Sequence, residues 1–191
     1  MLFRSISCWN KASSMSLAMW GLYGGGRESV AIRSTVGKLR TLLENSSSFL
    51  QRQRLKGEVA DLRYIEGLKN PDDGVEDQIY EILEESSCVE VAIFRMKPSL
   101  YAYEQEVRVI LYPERDIFAP LTDPHPNKNA FPLPMSDDFI EEVYVHPMLS
   151  EESMMVQGVR EINRLFGLSV PIIVDKIEAL GEKVRLQPQA R

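Results

Sequence analysis

At 191 residues the chain has the length of one domain, and its net charge of −6 at pH 7 disfavours bulk nucleic-acid binding. The charge is uneven: residues 1–69 carry 11 Lys/Arg against 5 Asp/Glu, and residues 70–191 carry 11 against 23. No apolar run is long enough to span a membrane, and the N-terminal segment lacks the order of a secretory signal. We therefore predict a cytoplasmic protein without a membrane segment.

Cysteine and histidine are too sparse to build a site by themselves. Cys8 and Cys88 are far apart, which excludes a disulfide framework and predicts reduced thiols. His125 and His146 stand in no metal-ligand spacing with a cysteine, so we predict no metal site.

Strands and helices are predicted in mixed order. Apolar alternation predicts strands at 2–9, 29–34, 58–66, 140–145 and 169–174. Helical spacing predicts helices at 13–23, 36–44, 75–87 and 150–166, the last capped by Ser150. Residues 88–96 fit a strand or a continued helix, residues 46–48 suggest a loop, and residues 70–74 suggest a turn.

This mixture predicts one α+β domain over residues 1–191. The amphipathic strands favour a mixed, mostly antiparallel sheet with flanking helices over a doubly wound parallel sheet. Pro171 places the last strand at a sheet edge. Residues 116–134 hold five prolines and little periodicity, which predicts a surface loop or insertion.

The stretch 97–112 has the highest density of side chains that could take part in chemistry. From Glu104 it predicts a strand that ends at Pro113. Alternation then places Glu104, Glu106 and Arg108 on one face and apolar side chains on the other.

The acid-acid-base face has two interpretations. Two close carboxylates raise one pKa of the pair, which suits general acid/base catalysis, and Arg108 would hold one acid or bind a carboxylate or phosphate. The alternative is a solvated strand face on which Arg108 neutralises a glutamate. A helical start is also open, because Glu104 and Arg108 are four residues apart.

A second candidate site lies where strand 29–34 runs into helix 36–44. The backbone N–H groups at 34–37 are those of a helix N-terminus, and Arg33 stands beside them. An anion would fit there, although ordinary capping explains the same residues. The glycine run at 24–26 precedes a strand, which favours a turn over a phosphate loop.

Seven patches in one order resemble a family of uncharacterised bacterial proteins similar to abortive phage-infection proteins of the Gi type. The patches cover nearly the whole chain. They read S-C-W (7–9), A-M-W-G-L-Y (18–23), V-A-I-R-S-T (30–35), L-R-Y (62–64), Y-E-Q-E-V-R (103–108), V-Y-V-H-P (143–147) and F-G-L-S-V-P (166–171).

The resemblance implies a site. Longer family members look loosely like the ADP-ribosyltransferase fold, in which a late strand supplies a catalytic glutamate and the first strands bind NAD. By that analogy Glu106 or Glu104 is the catalytic acid, and Trp20, Tyr23 and Arg33 line the pocket. Family members usually begin with a further segment, so this chain resembles one truncated at its N-terminus.

Two functions follow as hypotheses. The first is a nucleotide- or NAD-handling enzyme in phage defence or a toxin system, with Arg108 among its substrate-binding residues. The second is a non-catalytic binding or regulatory module with a protein partner, including an inactive truncated family member.

Overall fold

The computed structural model describes residues 5–11, 16–67, 75–114 and 130–174, and these group into two compact units. The first unit contains Met1–Ser14 and Val36–Met135, and the second contains Met15–Thr35 and Ser136–Arg191. The prediction of a single domain over 1–191 stays a prediction, because compact units can belong to one domain.

The first unit holds two sheets and four α-helices among its described residues. Its elements are β1 (Ser5–Asn10), α2 (Val36–Asn45), α3 (Ser47–Arg52), β3 (Leu55–Asp61), β4 (Arg63–Ile65), α4 (Val75–Glu85), α5 (Val89–Arg95), β5 (Met96–Pro98), a 3-10 helix (Ser99–Glu104) and β6 (Glu106–Pro113). Strand β6 lies between β1 and β3 and is antiparallel to both, while β4 and β5 form a parallel pair.

Strand β6 is covered on both faces. On one face Ile110 and Tyr112 pack with Ala60 of β3 and Val91 of α5. On the other, Leu111 lies beside Gly57, where the leucines of α2 and α3 approach closely. This burial explains the continuous apolar run of β6, and it contradicts the expectation that one face of this strand is solvated.

A second apolar cluster joins α4 and α5 to the parallel strand pair. Ile65 of β4 packs with Val75 and Ile82 of α4 and with Ala92 of α5. Residues 88–96, which fitted either a strand or a helix, are therefore helical up to Arg95, because α5 buries Val91 and Ala92.

The second unit is built on one three-stranded sheet. Its described elements are α1 (Leu17–Tyr23), β2 (Val30–Arg33), β7 (Glu142–Val145), α6 (Met154–Leu165) and β8 (Ile172–Ile173). Strand β7 is central, antiparallel to β2 and parallel to β8. The edge position predicted from Pro171 holds among the described residues, since β8 follows this proline at the end of their sheet.

The α+β class predicted from the sequence is confirmed, whereas several boundaries differ. The serine run at 46–48 opens helix α3 instead of forming a loop. The strand predicted over 58–66 is two strands, β3 and β4, separated at Leu62. The resemblance to the ADP-ribosyltransferase fold stays a prediction.

Some predicted features fall outside the described residues. These are the turn at 70–74 and most of the proline-rich loop, although its last residues, 130–134, form neither helix nor strand. Within the ranges that the structure describes, every helix is too short or too polar to cross a membrane.

Candidate functional site

Four charged side chains meet at the start of β6, and we call them the Glu106 cluster. They are Lys97, Glu104, Glu106 and Arg108. Strand alternation places Glu106 and Arg108 on one face of β6. Lys97 comes from β5, and Glu104 ends the 3-10 helix that connects the two strands. Three consecutive elements therefore supply the cluster.

The two carboxylates are joined by a cation. Lys97 Nζ donates to Glu104 Oε2 at 2.5 Å and to Glu106 Oε2 at 3.0 Å. Arg108 donates two hydrogen bonds to Glu106, from Nε to Oε1 at 2.7 Å and from Nη2 to Oε2 at 3.2 Å. Glu104 and Glu106 are 3% and 7% exposed, so the solvated-face interpretation is wrong. The cluster is a buried and charge-balanced network.

The position of Glu104 differs from the prediction. The strand begins at Glu106, and Gln105 adopts a left-handed backbone with φ of 42° between the helix and the strand. Glu104 thus reaches the cluster through a turn and not through strand alternation. A left-handed conformation is unfavourable for a residue with a side chain, so surrounding contacts must hold it.

Backbone hydrogen bonds fix this turn. The Glu106 N–H donates to Tyr64 Oη at 2.7 Å, and the Glu106 carbonyl accepts from the Leu62 N–H at 3.1 Å. The Asn10 side-chain amide donates to the Glu104 carbonyl. Asn10, Leu62 and Tyr64 therefore hold the backbone on both sides of Gln105.

The cluster's electrostatics contradict the acid/base expectation. Burial pushes the pKa of Glu106 upward, but hydrogen bonds from Arg108, Cys8 and Lys97 outweigh it and lower the pKa to about 2. Burial pushes the pKa of Lys97 downward, and its bonds to Glu104 and Glu106 reverse this and raise the pKa. Since Lys97 stands between the carboxylates, their mutual repulsion does not make Glu106 a general acid. Glu106 is a permanently ionised carboxylate at neutral pH.

Cys8 of β1 lies opposite Arg108 in the sheet and contacts Glu106. Burial of its thiol, together with the neighbouring Glu106, raises the pKa of Cys8 to about 11. The thiol is therefore protonated at neutral pH and a poor nucleophile. The residue as a whole is nevertheless exposed to solvent.

The other predicted site residues belong to the second unit. Arg33 pairs with Glu142 at 2.8 Å, so its charge is balanced across the β2–β7 pair. Trp20 is buried with its ring edge-on to His146 at 5.2 Å between centroids, and Tyr23 is exposed. The structure brings Glu104, Glu106 and Arg108 together, and the six-residue site stays a prediction.

The proposed anion site at the start of α2 finds little support in the side chains. Arg33 is engaged by Glu142, and the Ser34 hydroxyl donates to the Phe139 carbonyl at 2.6 Å. Ser34 thus ties the strand end to the chain before β7, which is a structural role.

Sequence reasoning missed two members of the site. Lys97 is separated from Glu104 by a full 3-10 helix, and nothing in a spacing pattern reveals that this helix folds the lysine back onto the carboxylates. Tyr64 binds the Glu106 backbone across 42 residues of sequence. The one available signal was that Lys97 opened the same dense stretch.

No group of three or more metal-ligating side chains occurs among the described residues. Comparisons of this chain with protein-family models, with curated proteins and with solved structures give no match. The resemblance to the abortive-infection family accordingly stays a prediction.

Proposed function

We propose that the chain handles a nucleotide, with NAD as the candidate ligand, and that Glu106 is the carboxylate at the reacting ribose. The supporting observation is a buried yet ionised carboxylate held by Arg108 and Lys97. A fixed negative charge stabilises the positive charge that develops on a sugar when its glycosidic bond breaks. The resemblance to the abortive-infection family suggests a phage-defence or toxin setting in the cytoplasm.

In the proposed reaction, the bond between ribose C1′ and the pyridinium nitrogen breaks, and its electron pair leaves with neutral nicotinamide. Water or an acceptor nucleophile then bonds to C1′ and releases a proton to solvent. Glu106 accepts a hydrogen bond from a ribose hydroxyl and faces the cationic carbon. Arg108 and Lys97 hold the carboxylate in place, so little reorganisation is needed at the moment of reaction.

The ligand would approach Glu106 past Cys8. A carboxylate has about four acceptor positions, and Arg108 and Lys97 supply three hydrogen bonds to Glu106. The remaining position is served by the Cys8 thiol, which is a weak donor on an exposed residue. A ribose hydroxyl is a stronger donor and would replace the thiol without breaking the ion pairs.

The test is calorimetric titration of the purified chain with NAD. We expect Glu106→Gln to weaken NAD binding by about tenfold or more, because it removes a charge-assisted hydrogen bond. Glu106→Asp keeps the negative charge but shortens the side chain by one methylene group, and it should give an intermediate affinity for NAD. Nicotinamide release by the unmodified chain, followed by chromatography, reports whether binding leads to turnover.

The matched control is Glu85→Gln. Glu85 is a glutamate of the same unit that pairs with Arg63 at 2.6 Å but lies on the surface. Its substitution should leave the NAD affinity unchanged. Thermal unfolding of each variant identifies loss of fold, and Glu106→Asp provides a readout if Glu106→Gln does not fold. Folded variants of Glu106 that bind NAD as the unmodified chain does would refute the proposal.

A non-catalytic binding or regulatory module is the second candidate. It is favoured by the internal pairing of the cluster, in which both glutamates have a cationic partner within the chain. In that case the cluster fixes the fold and the ligand is a protein. Absence of both NAD binding and nicotinamide release in the folded chain would favour this candidate over the enzyme.

A further inference from the structure

Helix α6 carries an apolar ridge that faces solvent. Side chains four residues apart form one row on a helix surface. Met154, Gly158 and Ile162 form such a row, and Phe166, the C-cap residue whose N–H bonds the Ile162 carbonyl, extends it. Met154 is 92% exposed, Ile162 56% and Phe166 76%. The inward side of the helix is held separately, because Val156 is completely buried. The ridge is thus additional to the apolar face that anchors α6.

Gly158 makes a notch in the middle of this ridge. Glycine is unfavourable inside a helix, so its presence there needs a reason. A Cβ built at Gly158 meets no atom within 4 Å, so packing among the described residues does not require glycine there. Close approach by a second helix gives the reason, since the missing side chain lets another backbone or side chain come near.

We propose that α6 is a self-association surface on which the α6 helix of a second copy packs antiparallel about a two-fold axis. Ile162 of each copy then enters the notch at Gly158 of the other copy. Met154 of each copy lies against Phe166 of the other. Every contact occurs twice, as an isologous interface requires. Interlocking rows of this spacing are also the commonest mode of helix packing.

The charges beside the ridge permit this pairing. Arg160 pairs with Glu151, and Arg164 pairs with Glu161, so these four charges are neutralised in pairs within each copy. One helix per copy offers less than the roughly 800 Å² per partner of a standard interface. We therefore expect a weak, reversible dimer whose population rises with protein concentration.

Sedimentation equilibrium of the full chain over a concentration series tests the proposal. Ile162→Lys should weaken dimerisation by about tenfold or more, because it places a charge in the centre of the contact. Leu22→Lys is the matched control, since Leu22 on α1 of the same unit is 57% exposed. It also replaces an apolar residue by lysine, at nearly equal exposure, and should leave dimerisation unchanged.

A glycine pair separates association from folding. Gly158→Ala should raise the melting temperature, because alanine favours the helix and its Cβ fits the monomer, while the filled notch weakens the dimer. Gly21→Ala on α1, where a Cβ also meets nothing within 4 Å, should raise the melting temperature and leave the dimer intact. A monomer at every concentration overturns the proposal, as does a dimer indifferent to Ile162→Lys and Gly158→Ala.

Discussion

Glu106 combines burial with full ionisation, and this combination depends on two cations. Removing the charge of Glu106 would take one anionic partner from Lys97 and from Arg108 at a position that little solvent reaches. Breaking a buried pair in this way typically costs about 3–5 kcal/mol. The network is thus as important for the fold as for any chemistry, so lost function in a Glu106 variant is distinguished from lost fold by its thermal unfolding.

The free energy of unfolding should fall at acid pH because of Glu106. Its pKa is about 2 in the folded chain and 4.5 as the ordinary value. The ionised form therefore stabilises the fold above about pH 4.5, and this contribution is lost as the pH falls towards about 2. Urea unfolding across this interval should show a steeper loss for the unmodified chain than for Glu106→Gln, which cannot titrate. Equal slopes would assign the acid sensitivity to other carboxylates.

Ser46 should be replaceable by alanine without loss of stability. It is fully buried at the joint of α2 and α3, and no described group hydrogen-bonds its hydroxyl. Its backbone N–H bonds to α2 and is unaffected by the change. Since an unpaired buried hydroxyl costs about 1–3 kcal/mol, Ser46→Ala should raise the free energy of unfolding or leave it equal. Ser34→Ala, which removes the bond to the Phe139 carbonyl, should lower it in the same urea titration.

At the scale of elements, the start of α6 depends on Ser153. Its backbone is extended, with φ of −62° and ψ of 143°, and its hydroxyl accepts from the Val156 N–H at 3.2 Å. The cap predicted at Ser150 is therefore wrong. Ser153→Ala should lower the free energy of unfolding by about 1 kcal/mol, whereas Ser150→Ala should change it by less than about 0.5 kcal/mol. Equal effects in urea unfolding would contradict this assignment.

Local patterns predicted the elements whose structure is set locally. Helices α2 and α4 were found from apolar spacing, and β6 from its β-branched run. In each of them the buried residues lie within one short segment, so a local pattern is enough to reveal the element. The break between β3 and β4 was missed, since it depends on a tertiary contact: the Leu62 N–H still bonds the Glu106 carbonyl in the β3–β6 register, but the Glu106 N–H donates to the Tyr64 hydroxyl. Helix α3 was missed because its serines suggest a loop, while burial of Leu50 decides the outcome.

The residues of the candidate site were likewise predicted only where local sequence determines their position. Glu106 and Arg108 were placed together correctly because strand alternation is local. Lys97 and Tyr64 were not predicted, since they reach Glu106 through tertiary contacts. The burial of the charged face of β6 was also not predicted. The sequence shows the charged residues, but it does not show that α5 covers the same face of the strand.

At the scale of the whole molecule, the chain forms two units that are each discontinuous in sequence. The first unit is interrupted by residues 15–35, and the second by residues 36–135. Sequence order therefore gives no sign of the division, and an apolar pattern predicts one mixed sheet where the described residues form three. Helix α6, the proposed self-association surface, belongs to the second unit, and the Glu106 cluster belongs to the first.

The central position of β6 also decides when the first unit can be assembled during synthesis. Strands β1 and β3 are made first, but in the described sheet both pair only with β6. The ribosome must therefore release residues as far as Pro113 before either strand gains its partner. About a hundred residues are therefore translated while β1 is still unpaired. An unpaired strand of this kind favours chaperone binding and aggregation.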